Sequence, residues 1–95
     1  MKVCWFDVFG AAQDVLQQGD WPTPEPGPGE VLVQLHTTGV NPSDVKKRAG
    51  AFPDLLDAGP VIPHSDGAGV IAAVGEGVSP SRVGERVFVY QARVW

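Results

Sequence analysis

The alternation of apolar and polar residues along this chain predicts a protein built mainly from short strands. It is clearest in the second quarter, where Val31, Val33 and Leu35 are apolar. They alternate with the polar residues Gln34 and His36, a pattern typical of a strand with one buried face and one hydrated face. We expect His36 to be exposed, because a lone histidine on a strand exterior is usually a surface residue.

Four further segments have the composition of strands. β-branched, aromatic or small apolar residues are frequent in three of them, the fourth (15–18) is a shorter candidate, and glycines or polar turns close them. They are residues 3–9, 15–18, 67–75 and 86–90. The first is apolar on both faces, so we expect it to be central in a sheet.

Two segments that contain prolines interrupt the strands. Alternate prolines in residues 21–29 block a helix and remove ladder donors, which predicts an extended linker or a sheet edge. Residues 51–63 lack periodicity and contain three prolines, which predicts a long loop. Loops of about 12 residues or more in a compact domain are often functional.

One short helix is predicted at residues 42–49. Asn41 suits the N-cap, Pro42 the first turn and Gly50 the stop. The basic triplet 46–48 suits the C-terminal end of the helix dipole, so we expect a solvated helix end rather than a phosphate site. Together these elements indicate a mainly β domain, barrel-like or a sandwich, with one or two short helices.

Composition narrows the classes of function. The 95 residues allow one domain, and 12 glycines with 9 prolines indicate many turns. A formal net charge of −4 argues against sequence-independent binding of nucleic acid or anionic lipid. The single cysteine, Cys4, excludes an intramolecular disulfide. We see neither a secretory signal nor an apolar run near the roughly 20 residues of a membrane helix, so we expect a soluble cytoplasmic protein.

Three patterns suggest a binding or catalytic site, and each lacks a feature that such a site needs. Residues 67–72 have the GxGxxA spacing of a dinucleotide fingerprint, but an irregular segment precedes them and β-branched residues follow. His64, Ser65 and Asp66 are the residue types of a hydrolase triad, but neighbours on an extended segment point apart and no GxSxG elbow is present. The histidines, Asp66 and the cysteine lack the paired spacing of zinc ligands.

Four motifs, in order along the chain, resemble those of the zinc-free quinone oxidoreductases. These form a branch of the medium-chain dehydrogenase/reductase superfamily that includes zeta-crystallin. The motifs are PEPGPGEVLV at 24–33, GVNPSD at 39–44, SDGAGV at 65–70 with VG at 74–75, and GERV at 84–87. The resemblance implies an N-terminal GroES-like domain, a partly open β-barrel, followed in the family by a Rossmann domain that binds NADPH. Hydride would pass to an acceptor in the cleft between the two domains.

The resemblance also implies roles for individual residues. Asn41 and Ser65 stand where zinc-dependent relatives place a metal-binding cysteine and histidine, so no metal is expected. Ser43 matches a proton-relay hydroxyl of related alcohol dehydrogenases. Asp44 matches an acid that supports the loop, and its position here equally suits a helix cap alone. The resulting assignment makes Asn41 and Ser43 catalytic, Asn41 and Asp44 cofactor-binding, and Phe52 and Ser65 part of the substrate pocket.

A quinone or enone acceptor fits this set of residues. Its developing negative charge needs a hydrogen-bond donor rather than a strong Lewis acid, and the resemblance implies that Asn41 supplies an amide N–H while Ser43 or water delivers the proton. Alcohol oxidation is disfavoured without a metal. Lys46 and Phe52 stand where such reductases often have tyrosine, so the residues at these two positions do not identify the class of acceptor. Phe52 is either an apolar wall beside a flat acceptor or a core aromatic.

The chain is short compared with the family. The resemblance stops at Tyr90 and no Rossmann segment follows, so we expect residues 1–95 to be a truncated N-terminal domain, inactive alone. The partner would be the missing Rossmann domain, and NADP(H) would not bind tightly to this chain. An alternative function is a non-enzymatic GroES-like interaction module that pairs through an open sheet edge, including as a homo-oligomer. A third alternative is that residues 91–95 are a frameshifted or artificial end.

Overall fold

The computed structural model describes residues 1–91, and its strands lie in two antiparallel sheets. The elements in chain order are β1 (Lys2–Trp5), α1 (Ala12–Val15), β2 (Gln17–Asp20), β3 (Val31–Thr38), α2 (Pro42–Ala49), β4 (Gly67–Val74), a 3-10 helix (Pro80–Arg82) and β5 (Arg86–Val89). The predicted mainly β fold with two short helices is confirmed. Residues 92–95, on which the alternative of a frameshifted end depends, lie outside the described residues.

The described chain divides into two compact units, each assembled from two separate segments. The first unit comprises Met1–Pro22 and Val40–Ser65, and the second comprises Thr23–Gly39 and Asp66–Gln91. Each segment of one unit is therefore followed in the chain by a segment of the other. The first unit holds both α-helices, and the second holds the larger sheet.

In the first unit, β1 and β2 form a two-stranded antiparallel sheet in which Lys2 pairs with Asp20 and Trp5 with Gln17. The predicted strand at 15–18 is wrong in its first half, because Val15 ends helix α1 and pairing starts only at Gln17. The alanine and glutamine before Val15 are good helix formers, and a four-residue helix turns Val15 into the core.

The prediction that the first strand is central in a sheet is also wrong. Within residues 1–91, the strand partner of β1 is β2, and beyond its end only Phe6 makes a further bridge, to Val61. The apolar run continues past Trp5 because single side chains enter the core, not because the ladder continues. Phe6 is fully buried, whereas Val8 is 55% exposed.

The core of the first unit is formed by three buried side chains from distant parts of the chain. Phe6, Val15 and Val61 make up this cluster, and Phe9, Leu55 and Leu56 pack against it. The backbones of Phe6 and Val61 exchange two N–H to carbonyl hydrogen bonds of 3.0 and 2.9 Å. This pair fastens the segment 51–63, which is irregular as predicted.

Helix α2 confirms its prediction at both ends. It begins at Pro42 after the N-cap Asn41 and ends at Ala49 before Gly50, which has a φ of 97°. Glycine adopts this left-handed conformation without the steric penalty of a Cβ, so it terminates the helix where the sequence indicates.

In the second unit, the sheet has the order β3-β4-β5. β3 is confirmed as a strand and His36 is exposed. The predicted buried face is wrong at Leu35, which is 48% exposed. Register irregularities at Leu32/Val33 and Leu35/Thr37 explain this, because a bulge shifts the alternation of side chains between the two faces.

The glycines at the start of β4 allow close approach of β3. Gly69 pairs with Leu35, and a Cβ built on Gly69 would overlap the backbone carbonyl oxygen of Gln34. The GxGxxA spacing thus belongs to a strand, and its rejection as a dinucleotide fingerprint is confirmed.

The turn before β5 is closed by an exposed ion pair. Arg82 donates from Nη2 to Oε1 of Glu85 at 2.8 Å and from Nε to Oε2 at 3.1 Å. The side-chain hydrogen bond from Arg82 lowers the pKa of Glu85 below its ordinary value. This turn leads into β5 in the predicted place.

β5 and the residue just after it carry two exposed aromatic side chains. Phe88 is 82% exposed and Tyr90, just after the strand, is 76% exposed. Within residues 1–91, β5 pairs with β4 alone. The alternative function, association through an open sheet edge, would use this strand and stays a prediction. No helix in the described part of the chain has the length and apolar character to cross a membrane.

Candidate functional site

The predicted site residues all belong to the first unit and cluster along the chain at two places. One place is the start of helix α2, and the other comprises the irregular segment 51–63 and the two residues after it. The residues are Asn41, Ser43 and Asp44 at the first place, and Phe52 and Ser65 at the second. Hydrogen bonds from α2 reach residues 64 and 65, so the structure connects Ser65 directly to this helix.

Asp44 makes the central connection. It is 5% exposed, and its Oδ2 accepts the backbone N–H of Asn41 at 2.8 Å. Its Oδ1 accepts the backbone N–H of His64 at 2.9 Å. The first bond is half of a capping box in which the Asn41 side chain faces the N–H of Asp44. One buried carboxylate therefore starts the helix and holds the residue that precedes Ser65.

These contacts bear on the two roles predicted for Asp44. Both carboxylate oxygens already accept a backbone N–H, as a helix cap and a loop support require. Neither bond involves a group that a cofactor would supply. The assignment of Asp44 to cofactor binding stays a prediction, and the contacts support the structural interpretation.

His64 has an unusual backbone conformation. Its φ is 82°, in the left-handed region that is sterically unfavourable for a residue with a Cβ. The hydrogen bond from its N–H to Asp44 holds this conformation.

A pair of substitutions at position 64 tests this conformation. Glycine at 64 should make the chain more stable than alanine at 64 by about 1 kcal/mol, because only alanine has a Cβ in the left-handed region. Both variants lose the imidazole, so their difference isolates the backbone. Urea titration measures the free energy of unfolding of both variants. A larger value for His64→Ala than for His64→Gly would contradict the prediction.

The basic triplet 46–48 is only partly the solvated helix end that was predicted. Lys46 is exposed, but Lys47 and Arg48 are half-buried. Lys47 Nζ donates to Ser65 Oγ at 3.1 Å, and Arg48 Nη1 donates to the carbonyl oxygen of Gly10 at 2.8 Å. The last turn of the helix lies within hydrogen-bonding distance of Gly10 and Ser65, so two of the three cations make specific contacts.

The other two predicted residues are accessible. Ser43 is exposed on the first turn of α2. Phe52 is 49% exposed and does not belong to the core cluster, so the alternative that it is a core aromatic is wrong. An exposed ring fits a surface for a flat apolar ligand, whereas the pocket assignment itself stays a prediction.

Sequence reasoning missed two contributors to this network, Lys47 and the backbone of His64. A signal for Lys47 was available, since Asp44 and Lys47 are three positions apart and so share a face of a helix. The contact of that face with residues 64 and 65 depends on how the chain folds back after α2. No local pattern in the sequence predicts this return.

The structure groups no metal-binding set in the part of the chain it describes. Among residues 1–91, no three histidine, cysteine, aspartate or glutamate side chains lie together in a way that could hold a metal ion. Independence from zinc stays a prediction, drawn from the residues at positions 41 and 65.

Comparison with known proteins identifies relatives that are several times longer. The synaptic vesicle membrane protein VAT-1 homolog of Homo sapiens is 44% identical over 82 residues, covering 85% of this chain and 21% of that protein. The quinone oxidoreductase of Rattus norvegicus is 39% identical over 82 residues, covering 86% of this chain and 25% of that protein.

The structural comparison agrees. The quinone oxidoreductase of Escherichia coli, solved in complex with NADPH, matches with a TM-score of 0.87 and 26% identity, over 99% of this chain and 28% of that chain. The present chain thus spans about a quarter of the length of its relatives. The family model described as the alcohol dehydrogenase GroES-like domain matches residues 27–94. The chain therefore belongs to the alcohol dehydrogenase GroES-like domain family, and its resemblance to the quinone oxidoreductases of the medium-chain dehydrogenase/reductase superfamily is confirmed.

Proposed function

We propose that this chain is the substrate-side domain of an NADPH-dependent, zinc-independent oxidoreductase that reduces a quinone or an enone. The observation that carries this proposal is the structural match to a quinone oxidoreductase in complex with NADPH, over 99% of the chain. Such an enzyme would work in the cytoplasm. The remaining three quarters of the relatives would supply the Rossmann domain, and residues 1–95 would be inactive without it.

The residues of this chain would form the acceptor side of the reaction. NADPH, which would be bound mainly by the Rossmann domain, would supply the hydride. Asn41, half-buried at the N-cap of α2, would donate an amide N–H to the acceptor oxygen as negative charge develops. Ser43, exposed two residues further on in the first turn of α2, or a water molecule would hold the proton for that oxygen. The exposed ring of Phe52 and the hydroxyl of Ser65 would bound the pocket.

The first test joins this chain to the remaining part of the Escherichia coli quinone oxidoreductase. The hybrid should oxidise NADPH when benzoquinone is added, and residues 1–95 alone should not. The nicotinamide absorbance follows the reaction. Turnover by the isolated chain would contradict the claim that it is inactive, and a hybrid that binds NADPH without reducing benzoquinone would contradict the proposed function.

Asn41→Ser in the hybrid separates the predicted catalytic role of Asn41 from its role as a cap. Serine is an equally good N-cap, so the stability of the hybrid should change little. Its side chain is shorter and lacks the amide N–H, so the predicted hydrogen bond to the acceptor oxygen is lost. We expect kcat/KM to fall by about 100-fold, as it does when one donor to a developing oxyanion is removed. Unchanged turnover in a stable variant would leave Asn41 with a structural role only.

A further inference from the structure

Residues 64 and 65 are hydrogen-bonded to two side chains on the same face of helix α2. Asp44 binds the backbone of His64 at 2.9 Å, and one turn later Lys47 binds the side chain of Ser65 at 3.1 Å. Lys47 and Ser65 are both half-buried. Because Asp44 fixes the backbone immediately before Ser65, the Ser65 hydroxyl is held in place beside the ammonium group.

The charge of Lys47 is not compensated by this contact. Its partner is a neutral hydroxyl, and within residues 1–91 the ammonium group enters no ion pair. By contrast, the exposed Arg82 meets a carboxylate with two hydrogen bonds. A partly desolvated cation interacts more strongly with an incoming anion than a fully hydrated one does.

The two side chains together form a set of hydrogen-bond donors. An ammonium group has three N–H donors and no acceptor, and only one donor is engaged by Ser65. The Ser65 oxygen accepts that hydrogen bond, and its own hydrogen remains a donor that the nearby cation polarises. A ligand oxygen with negative charge could therefore accept one hydrogen bond from each residue, and such charge-assisted bonds are the strong ones.

We propose that Lys47 and Ser65 form a cationic donor site that binds the oxygen of the acceptor and stabilises the negative charge on it. The ligand class is a carbonyl compound whose reduced form carries an enolate or phenolate oxygen. This inference rests on the proposed function and adds a charged group to it, because Asn41 and Ser43 are both neutral. Asp44 is a positioning residue for the site, since it acts through the backbone of His64.

The test uses the full chain and 4-nitrophenol, whose phenolate form has its own visible absorbance band. At a fixed pH at which both forms are present, binding to a cationic donor site should raise the phenolate fraction. We expect Lys47→Met and Ser65→Ala each to weaken phenolate binding, and Lys47→Met by about tenfold, the loss typical of one hydrogen bond to a charged group. Lys47→Arg, which keeps the charge, should retain most of the binding.

Lys46→Met is the matched control, because it removes the same charge from the neighbouring, exposed position. It should leave phenolate binding unchanged. Equal losses from Lys46→Met and Lys47→Met, or no binding by the unsubstituted chain, would overturn the proposal. Circular dichroism at the assay temperature establishes that each variant is folded. If Lys47→Met proves unfolded, the comparison of Ser65→Ala, which should weaken phenolate binding, with Lys46→Met decides in its place, and equal binding by these two variants would overturn the proposal.

The outcomes also separate this site from the proposed function. A hybrid enzyme that reduces benzoquinone equally well with and without Lys47→Met would refute the site and keep the function. Phenolate binding that depends on Lys47, in a chain whose hybrid does not reduce benzoquinone, would keep the site and refute the function.

Discussion

Replacing Asp44 with alanine should lower the free energy of unfolding by about 3 kcal/mol, because two partly buried backbone N–H groups lose their acceptor. Each donor left unsatisfied costs roughly 1–3 kcal/mol. The two groups belong to Asn41 and His64. For a chain of 95 residues, this is a large part of a total stability of roughly 5–14 kcal/mol. Urea titration followed by circular dichroism measures the change.

Asp57→Ala is the control for this prediction. Asp57 is exposed on the irregular segment after α2, so its substitution should change stability by less than about 0.5 kcal/mol. Asp44→Asn should give an intermediate loss, since the amide keeps one acceptor oxygen. A loss below about 1 kcal/mol for Asp44→Ala would mean that water replaces the carboxylate at both N–H groups.

The second large effect is expected at Gly69. Its substitution by alanine should destabilise the chain by about 3 kcal/mol, the upper end for overfilling a packed site. The new Cβ would overlap the carbonyl oxygen of Gln34 and lie 2.9 Å from the Cα of Leu35. Both neighbours are backbone atoms of β3, so relief requires the strand to move and the paired register to change.

Gly77→Ala is the comparison for Gly69→Ala within the same unit. Gly77 has a φ of 87° and no heavy atom within 4 Å of a built Cβ, so alanine should cost about 1 kcal/mol through the backbone alone. The melting temperatures of the two variants show which substitution destabilises the chain more. Equal losses would show that β3 moves away from the new Cβ at little cost, and would contradict the prediction for Gly69→Ala.

The elements that sequence reasoning predicted well are those whose causes are local. Helix α2 has its cap, its proline and its terminal glycine within ten consecutive residues, and both ends were found. Helix α1 was missed because four residues carry too little periodicity to separate a helix from a strand. The position of β1 was wrong because the neighbours of a strand depend on distant segments, here β2 and Val61.

The same distinction applies to the candidate site. Asn41 and Asp44 were assigned as a cap and a loop support from a motif, and the local half of their geometry is as expected. The bonds from α2 to His64 and Ser65 join residues about 20 positions apart. Their formation depends on the path of the irregular segment, which has no repeating pattern to indicate where it returns.

The division of each unit into two segments affects when the chain can fold. The backbone pair of Phe6 and Val61 closes the core of the first unit, so this core cannot form until residue 61 has emerged from the ribosome. The second unit is delayed further, because β3 pairs with β4 and β4 with β5. Contacts between residues so far apart in sequence slow folding. Until residue 89 has emerged, then, the growing chain exposes unpaired strands of the second unit, and a chaperone that shields them should raise the yield of folded protein.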